Sequence, residues 1–272
     1  MSKRKDIPPT VLDDLRRNLE RLKLRALLEH LDEALEQAVT LEQGYIAFLA
    51  GLVEREILAR AESASNRRFK TAHFPDTRTF DTFDWTFQPH LSVQLVKDLM
   101  GLDFIRQARP VILLGRPGTG KTHISIAYGN LAVLRGYTVR FYKAHQILNE
   151  LYASLADDTT AKLVARLARL DLLIIDDLRD MPTRHEHATL LFELIEARHL
   201  RKSTILSSNL SVKRWGKVLG NPALTASLVD RLMERAHIIN IRQGRSYRTE
   251  GPEAPPEHDR PAGLDLSDDT EA

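Results

Sequence analysis

One short segment of the sequence, residues 115–122, has residue types and spacing that suit the binding of phosphate groups. It reads Gly-Arg-Pro-Gly-Thr-Gly-Lys-Thr and fits the pattern G-x-x-x-x-G-K-T. Its glycines allow the backbone to wrap a phosphate with amide N–H groups pointing inward. We expect Lys121 to reach the β- and γ-phosphates of ATP, and the Thr122 hydroxyl to hold Mg²⁺. The predicted nucleotide contacts are Gly115, Pro117, Gly118, Thr119, Gly120, Lys121 and Thr122.

An apolar run at 172–175 ends in two adjacent carboxylates, Asp176 and Asp177. Ligands in open α/β sheets bind at the carboxyl ends of the strands, so both side chains are expected near the phosphate loop. We expect Asp176 to hold Mg²⁺ through water and Asp177 to polarise the attacking water as a general base. Such a run is weak evidence alone, but after a phosphate loop it predicts ATP hydrolysis.

Two further polar side chains complete the candidate catalytic set. Asn209 follows the run at 204–207 and could hydrogen-bond the attacking water or the γ-phosphate, although an asparagine often simply ends a strand. Arg231 and Arg235 lie four residues apart in a predicted helix at 227–235 and share a face. That face is either a solvated basic surface or the source of an arginine that stabilises the phosphoryl group of a neighbouring subunit. The second interpretation requires a homo-oligomer.

Alternating apolar strands and helical stretches between residues 110 and 248 predict the framework that positions these side chains. The alternation favours an α/β fold with a parallel sheet covered by helices on both faces. The first strand leads into the phosphate loop, and a helix at 122–134 would direct its positive dipole end at the phosphates. The candidate strands are 111–114, 138–142, 172–175, 204–207 and 238–241.

The region before this framework is predicted to be a helical N-terminal module, residues 1–75. Leucine spacing predicts one helix at 11–38 and apolar residues predict a second at 41–64. The module is either a plain helical hairpin with its own core or a docking and oligomerisation module. An aromatic-rich stretch at 66–89, here called the connector, is expected to pack against the next domain, residues 76–248.

Composition narrows the remaining possibilities. The chain has 272 residues and no cysteine, which excludes disulfides and thiolate metal sites. It contains neither an apolar run of transmembrane length nor the apolar segment of a secretory signal, so we expect a cytoplasmic protein. His185 and His187 lack the i, i+4 spacing of helical metal ligands, so no metal besides Mg²⁺ is expected. Residues 249–272 are rich in proline and acid and are predicted to be a disordered tail.

Taken in order, these motifs resemble those of the AAA+ ATPases of the DnaC/IstB class, from about residue 83 to residue 248. The helical N-terminal segment also looks like IstB. IstB proteins are ATP-dependent helpers of a transposase encoded by the same insertion sequence, and DnaC proteins load the replicative helicase onto single-stranded DNA. The segments similar to the IstB pattern are GRPGTGKTH, LLIIDD, STILSSN, the Trp215 segment, LVDRLMERA, GRSYR and the connector motif FDTFDW.

The resemblance implies a P-loop NTPase with an AAA+ core, in which Asn209 is sensor 1 and Arg231 is the arginine finger. Asp177 departs from the pattern, because most AAA+ proteins have glutamate there, and its shorter reach is expected to slow hydrolysis. Too little chain follows Arg231 for a full lid domain, and no sensor 2 arginine can be assigned. The DnaC/IstB class shares both the absence of a full lid domain and the absence of a sensor 2 arginine.

Basic residues raise the question of DNA contact. The sequence pI is about 8.8 at a formal net charge of +2. Acidic residues concentrate in the tail, so the rest of the chain is more basic than the total charge indicates. In the DnaC/IstB class the region after the second strand tracks the DNA backbone, although a solvated helix face is an equal alternative. We expect salt-dependent binding with little sequence specificity. The candidate contacts are Lys143, Lys162, Arg166 and Arg169, with a second cluster at Arg67, Arg68 and Lys70.

Three functions are compatible with this sequence. The first is a transposition helper that assembles with ATP on duplex DNA as a homo-oligomer with shared ATP sites and recruits the transposase of its own insertion sequence. The second is a helicase loader acting on single-stranded DNA. The third is a nucleotide-gated scaffold with negligible turnover, which the substitution of aspartate for glutamate at Asp177 would favour.

Overall fold

The computed structural model describes residues 9–179, 184–241 and 243–252, apart from the side chains of Pro9 and His185. By its internal contacts the chain divides into two compact units between Arg67 and Arg68, whereas the boundary expected from sequence was residue 75. Among the described residues, no helix is both long and apolar enough to cross a membrane.

The N-terminal unit is built from helices around a small apolar core. Its helices are α1 (Pro9–Arg21), α2 (Arg25–Glu29), α3 (Leu31–Thr40) and α4 (Tyr45–Ala72). Leu19, Leu27, Leu31, Ala34 and Leu52 form the buried centre of this unit.

The prediction of one continuous helix at 11–38 was wrong. Lys23 has a positive φ of 58°, and the N–H of Leu24 bonds the carbonyl of Leu19 at 2.9 Å. This turn ends α1, so three shorter helices replace the predicted one. The second predicted helix, at 41–64, begins later and continues to Ala72 as α4.

The C-terminal unit contains a five-stranded parallel sheet with the order β2-β3-β4-β1-β5. The predicted α/β class with a parallel sheet is confirmed, and each predicted strand is present within a few residues. The strands are β1 (Val111–Gly115), β2 (Val139–Lys143), β3 (Leu172–Leu178), β4 (Ser203–Ser208) and β5 (His237–Ile241).

Helices cover both faces of this sheet because the strands bury their side chains on both sides. In β1, Val111 and Leu113 face a core that α7 shares with aromatic side chains of the connector, including Phe80 and Phe83. Ile112 and Leu114 face the opposite core, which α8 to α12 cover. The helices are α5 (Val93–Leu99), α6 (Asp103–Arg106), α7 (Lys121–Leu134), α8 (Ala144–Ala153), α9 (Thr160–Ala168), α10 (His185–Arg198), α11 (Val212–Val218), α12 (Pro222–Met233) and α13 (Tyr247–Glu250).

The chain after the last strand is short where the structure describes it. Between β5 and residue 252, the described residues form only the four-residue helix α13. Two residues of the predicted tail, Thr249 and Glu250, belong to this helix, and residues 253–272 lie outside the described part of the chain.

Candidate functional site

The phosphate loop joins β1 to α7 through backbone that only glycine adopts without strain. Gly118 has φ of +79° and Gly120 has φ of +92°, both in the left-handed region. A Cβ atom at Gly120 would lie 2.9 Å from the ring of Phe83, and one at Gly118 would collide with Ser246. Glycine is therefore required at both positions by conformation and by space.

Lys121 lies at the first position of α7 and is buried, with 8% of its surface exposed. Its Nζ donates to the carbonyl oxygens of Gly115 at 2.7 Å and Arg116 at 2.8 Å. Burial lowers the pKa of Lys121 to about 8, although Asp176 and Asp177 act in the opposite direction. A nucleotide phosphate would offer this confined ammonium a full negative charge.

The lowered pKa of Lys121 predicts a pH dependence of ATP binding. Above about pH 8 the free site loses the ammonium proton, whereas bound phosphates favour the charged form. Binding must then take up a proton, so ATP affinity should fall about tenfold for each pH unit above that pKa. Nucleotide titrations at about pH 7.5 and about pH 9.5 would measure the effect, since a phosphate with a second pKa of about 6 is ionised at both values. Equal affinities at the two pH values would contradict the prediction.

Thr122 and Asp176, the predicted Mg²⁺ pair, contact one another. The Thr122 hydroxyl lies 2.9 and 3.1 Å from the two carboxylate oxygens of Asp176. Asp176 is buried at the end of β3, and burial raises its pKa, while hydrogen bonds from Ser207 and Thr122 lower it. Oxygen ligands of this kind, with a negative charge, suit Mg²⁺.

Asp177 leaves the regular strand pairing and lines the same cavity as Lys121. The register between β3 and β4 is irregular between Ile175 and Leu178, and Asp177 has a positive φ of 63°. Its carboxylate pairs with Arg179, whose Nε lies 3.3 Å away. This irregularity is a β-bulge, and it orients the side chain of Asp177 differently from that of Asp176.

Asn209 follows the last residue of β4 and also lines the cavity. Its Oδ1 atom is buried and has no hydrogen-bond partner among the described residues. Leaving such an acceptor unsatisfied costs about 1–3 kcal/mol. This orphaned oxygen suits a donor supplied from the cavity, such as a water molecule.

The cavity that joins these groups has a volume of about 530 Å³. Besides the predicted residues, it is lined by Phe87 of the connector and by Tyr247 and Arg248. We call residues 244–248 the closing segment, because the N–H of Tyr247 bonds the carbonyl of Gly118 at 3.0 Å. The volume and the mixed lining suit a nucleotide whose base lies against aromatic rings.

The connector and the closing segment are held together by specific contacts. The Gln88 side chain donates to the carbonyl of Arg245 at 2.6 Å and accepts from its N–H at 3.0 Å. The rings of Phe87 and Tyr247 meet edge to face, with centroids 4.8 Å apart. The aromatic residues of the connector and the GRSYR motif were the only signals in the sequence for this wall.

Comparison with known proteins agrees with this site. Residues 17–253 match the model of the family described as IstB-like ATP binding protein. The chain belongs to this family. It is accordingly an ATP-binding AAA+ ATPase of the P-loop type.

Relatives of this IstB-like chain come from insertion sequences. The chain is 35% identical over 230 residues to the insertion sequence IS21 ATP-binding protein of Pseudomonas aeruginosa, covering 85% of this chain and 86% of that protein.

Two solved structures share the fold of this chain at lower sequence identity. Aquifex aeolicus DnaA bound to AMPPCP has 23% identity and a TM-score of 0.53, covering 65% of this chain and 53% of that one. The DnaC helicase loader has 16% identity and a TM-score of 0.50, covering 65% and 99%.

Arg231 is not part of the cavity in this IstB-like chain. It pairs with Glu196 and stacks on the ring of Phe192, 4.8 Å from the centroid. It shares a small cleft with Pro110 and Thr204, which lie at the amino ends of β1 and β4. The nucleotide cavity lies at the carboxyl ends of the same strands. Arg231 therefore lies at the opposite ends of these strands from the cavity.

The four candidate DNA contacts do not share one environment. Lys143 ends β2, is paired in register with Asp176 and lines the nucleotide cavity. Lys162, Arg166 and Arg169 are exposed in or just after α9, whose Leu163 side chain faces the core. Arg166 is paired with Glu150 at 2.8 Å. The interpretation of all four as one DNA-contacting surface stays a prediction, because Lys143 lines the nucleotide cavity whereas the other three residues lie in or just after α9.

Proposed function

We propose that this protein assembles as a homo-oligomer on duplex DNA in the presence of ATP and assists the transposase of its own insertion sequence. The family and the insertion-sequence origin of its relatives support the transposition role. Arg231 lies near the amino ends of β1 and β4, whereas the cavity lies at their carboxyl ends. This position is the observation that carries the oligomeric part of the proposal.

Within one subunit, the cavity residues would divide the work of ATP hydrolysis. Lys121 and the amides of the phosphate loop would bind the β- and γ-phosphates, and Thr122 with Asp176 would hold Mg²⁺. When bound, Mg²⁺ neutralises charge on the phosphate oxygens. Asp177 would accept a proton from the attacking water, and Asn209 would orient that water through its unpaired oxygen.

The arginine assigned to this chemistry, Arg231, does not line the cavity of its own subunit. Charge that develops on the transferred phosphoryl group is commonly met by an arginine, and Arg231 is too far from its own cavity to serve. A second copy whose α12 faces the cavity would supply Arg231 there. ATP would then bind at a junction between subunits, and its binding would favour the assembled state.

Contact with DNA would use the exposed basic residues of α9 and its end. Lys162 and Arg169 are exposed, and the guanidinium of Arg166 shares a solvent-exposed ion pair that a phosphate can replace at small cost. Repetition of this group along an oligomer would give many phosphate contacts without base recognition.

DNA binding with ATP, with ADP and without nucleotide tests the proposal. Duplex and single-stranded DNA of equal length would be compared at one fixed salt concentration. We expect cooperative duplex binding that requires ATP and weakens steeply as salt rises. The charge-neutralising double variant Lys162→Gln with Arg169→Gln should reduce this salt dependence while leaving ATP binding unchanged.

The outcomes separate the proposed functions. No duplex binding in ATP would overturn the transposition role, and a preference for single strands would favour the helicase-loader function. ATP-dependent duplex binding with no measurable hydrolysis would favour a nucleotide-gated scaffold.

A further inference from the structure

The hydroxyl of Ser207 contacts both acidic residues of the ATPase site. Ser207 lies in β4 with 1% of its surface exposed. Its Oγ donates to Oδ1 of Asp176 at 2.5 Å and accepts the backbone N–H of Asp177 at 2.9 Å. One buried group therefore connects the carboxylate that would hold Mg²⁺ with the backbone of the proposed general base.

We propose that Ser207 is a positioning residue, which fixes the general base Asp177 relative to the Mg²⁺-binding carboxylate of Asp176. Ser207 borders the cavity, but only 1% of its surface is exposed and its hydroxyl already bonds the two aspartates, so it would act through them. Its hydroxyl would act through two hydrogen bonds, one to each residue, and so couple their positions. The inference extends the ATPase chemistry of the site and does not depend on the proposed DNA role.

The backbone at Asp177 explains why such a contact is needed. A positive φ of 63° is uncommon for a residue with a side chain, and it persists only where surrounding contacts hold it. The strand pairing is interrupted at this point, so the ladder does not fix the Asp177 amide in the regular way. The Ser207 hydroxyl replaces the missing backbone partner and determines the direction in which the Asp177 side chain leaves the strand.

The same hydroxyl restricts Asp176 together with the hydroxyl of Thr122. Thr122 donates to the Asp176 carboxylate from α7, and Ser207 donates to it from β4. A carboxylate held from two elements cannot rotate freely. Removal of one donor would leave Asp176 attached to α7 alone, and partners that orient a metal ligand typically contribute about 10–100-fold to metal affinity or activity.

The next residue along β4 provides a matched control. Ser208 is also fully buried, and its Oγ donates to the carbonyl of Leu178 and accepts the N–H of Leu210 at 3.1 Å. Its hydroxyl thus bonds backbone groups only and contacts neither carboxylate. Replacement of either serine by alanine removes one buried hydroxyl from the same strand, so both variants should lose a similar amount of thermal stability.

The experiment compares Ser207→Ala, Ser208→Ala and Ser207→Thr in the full-length protein. Nucleotide affinity is measured with a fluorescent ATP analogue in EDTA and across a Mg²⁺ titration, and kcat and KM for ATP are measured at saturating Mg²⁺. Thermal melting shows which variants remain folded. These readouts separate loss of the fold, loss of nucleotide binding and loss of the specific arrangement of the two aspartates.

We expect Ser207→Ala to bind nucleotide normally in EDTA but to need about 10–100-fold more Mg²⁺. Its kcat should stay reduced at saturating Mg²⁺ with KM little changed, because Asp177 is no longer held. Ser208→Ala should show neither change, and Ser207→Thr, which keeps the hydroxyl, should recover most of both. Equal Mg²⁺ requirement and kcat in the two alanine variants would overturn the proposal, as would failure of the threonine variant to recover despite a normal melting temperature.

Discussion

Replacing Arg231 with alanine should leave ATP binding intact and lower the rate of ATP hydrolysis by about 10³-fold or more. Arg231 lies at the opposite ends of the strands from the cavity of its own subunit. It would therefore reach only the ATP of a neighbouring subunit. Its present partners, Glu196 and Phe192, would be exchanged for the phosphoryl group. ATP titrations and steady-state hydrolysis on the same preparation would separate binding from turnover.

Two controls make this test specific. Arg235→Ala removes an exposed arginine close to the end of α12 and should hydrolyse ATP nearly normally, whereas Arg231→Lys should lose most activity because an ammonium lacks the guanidinium fork. Mixing Arg231→Ala subunits with Lys121→Ala subunits should restore part of the activity. Some junctions would then combine an intact phosphate loop with an intact arginine.

Normal hydrolysis by Arg231→Ala would show that the arginine assignment is wrong, and Arg235 would become the candidate. A lack of recovery on mixing, in subunits that still assemble, would show that the two residues do not act across one junction.

Lys121→Ala should weaken ATP binding by about 100-fold and abolish measurable hydrolysis. A charged hydrogen bond contributes about 1.5–3 kcal/mol, and about 1.4 kcal/mol corresponds to a tenfold change in affinity. Lys121 is expected to meet two phosphates, and its own loop contacts with Gly115 and Arg116 are lost as well. Titration with a fluorescent ATP analogue measures the affinity, and thermal melting shows whether the variant is folded.

The matched control for this lysine is Lys143→Ala, which removes a second lysine that lines the same cavity. Lys143 is exposed and makes no hydrogen bond to the phosphate loop among the described residues, so its removal should affect ATP binding much less. Comparable losses in the two variants would mean that the effect reflects the overall charge of the cavity rather than the phosphate contact of Lys121.

The five strands could be predicted from sequence because each is a run of apolar residues that is buried on both faces. The carboxyl end of β3 could not be predicted in the same way. The prediction stopped at residue 175, whereas the strand continues to Leu178, because Asp176 and Asp177 are residue types that are depleted in strands. Contacts across the sheet, including those of Ser207, hold this polar end in place.

The breaks in the N-terminal helices were hidden for a different reason. Neither glycine nor proline marks the turn at Lys23, where the backbone nevertheless has a positive φ. By contrast, glycine disfavours a helix interior, yet Gly51 lies inside α4 with open space around it. Local propensity therefore gives no sign of the break at Lys23 and wrongly indicates a weak point at Gly51. Packing within the unit decides where these helices end.

The phosphate loop and the two aspartates could be located from sequence because their chemistry requires fixed residue types at short spacing. The wall opposite them could not be assembled, since Gln88 and Arg245 are 157 residues apart in sequence yet form two hydrogen bonds. Nor does the sequence indicate that Lys143, a candidate DNA contact, lines the same cavity. Short-range patterns identify reactive groups, but they do not show which distant segments surround them.

The closing segment is made late in translation. Tyr247, which bonds Gly118 of the phosphate loop, follows it by nearly half of the chain, and β1 pairs with β4 and β5, which are also synthesised after it. The loop therefore emerges from the ribosome long before its neighbours in the sheet and its closing segment are available. A nascent chain can therefore complete its ATP cavity only after synthesis has passed Arg248.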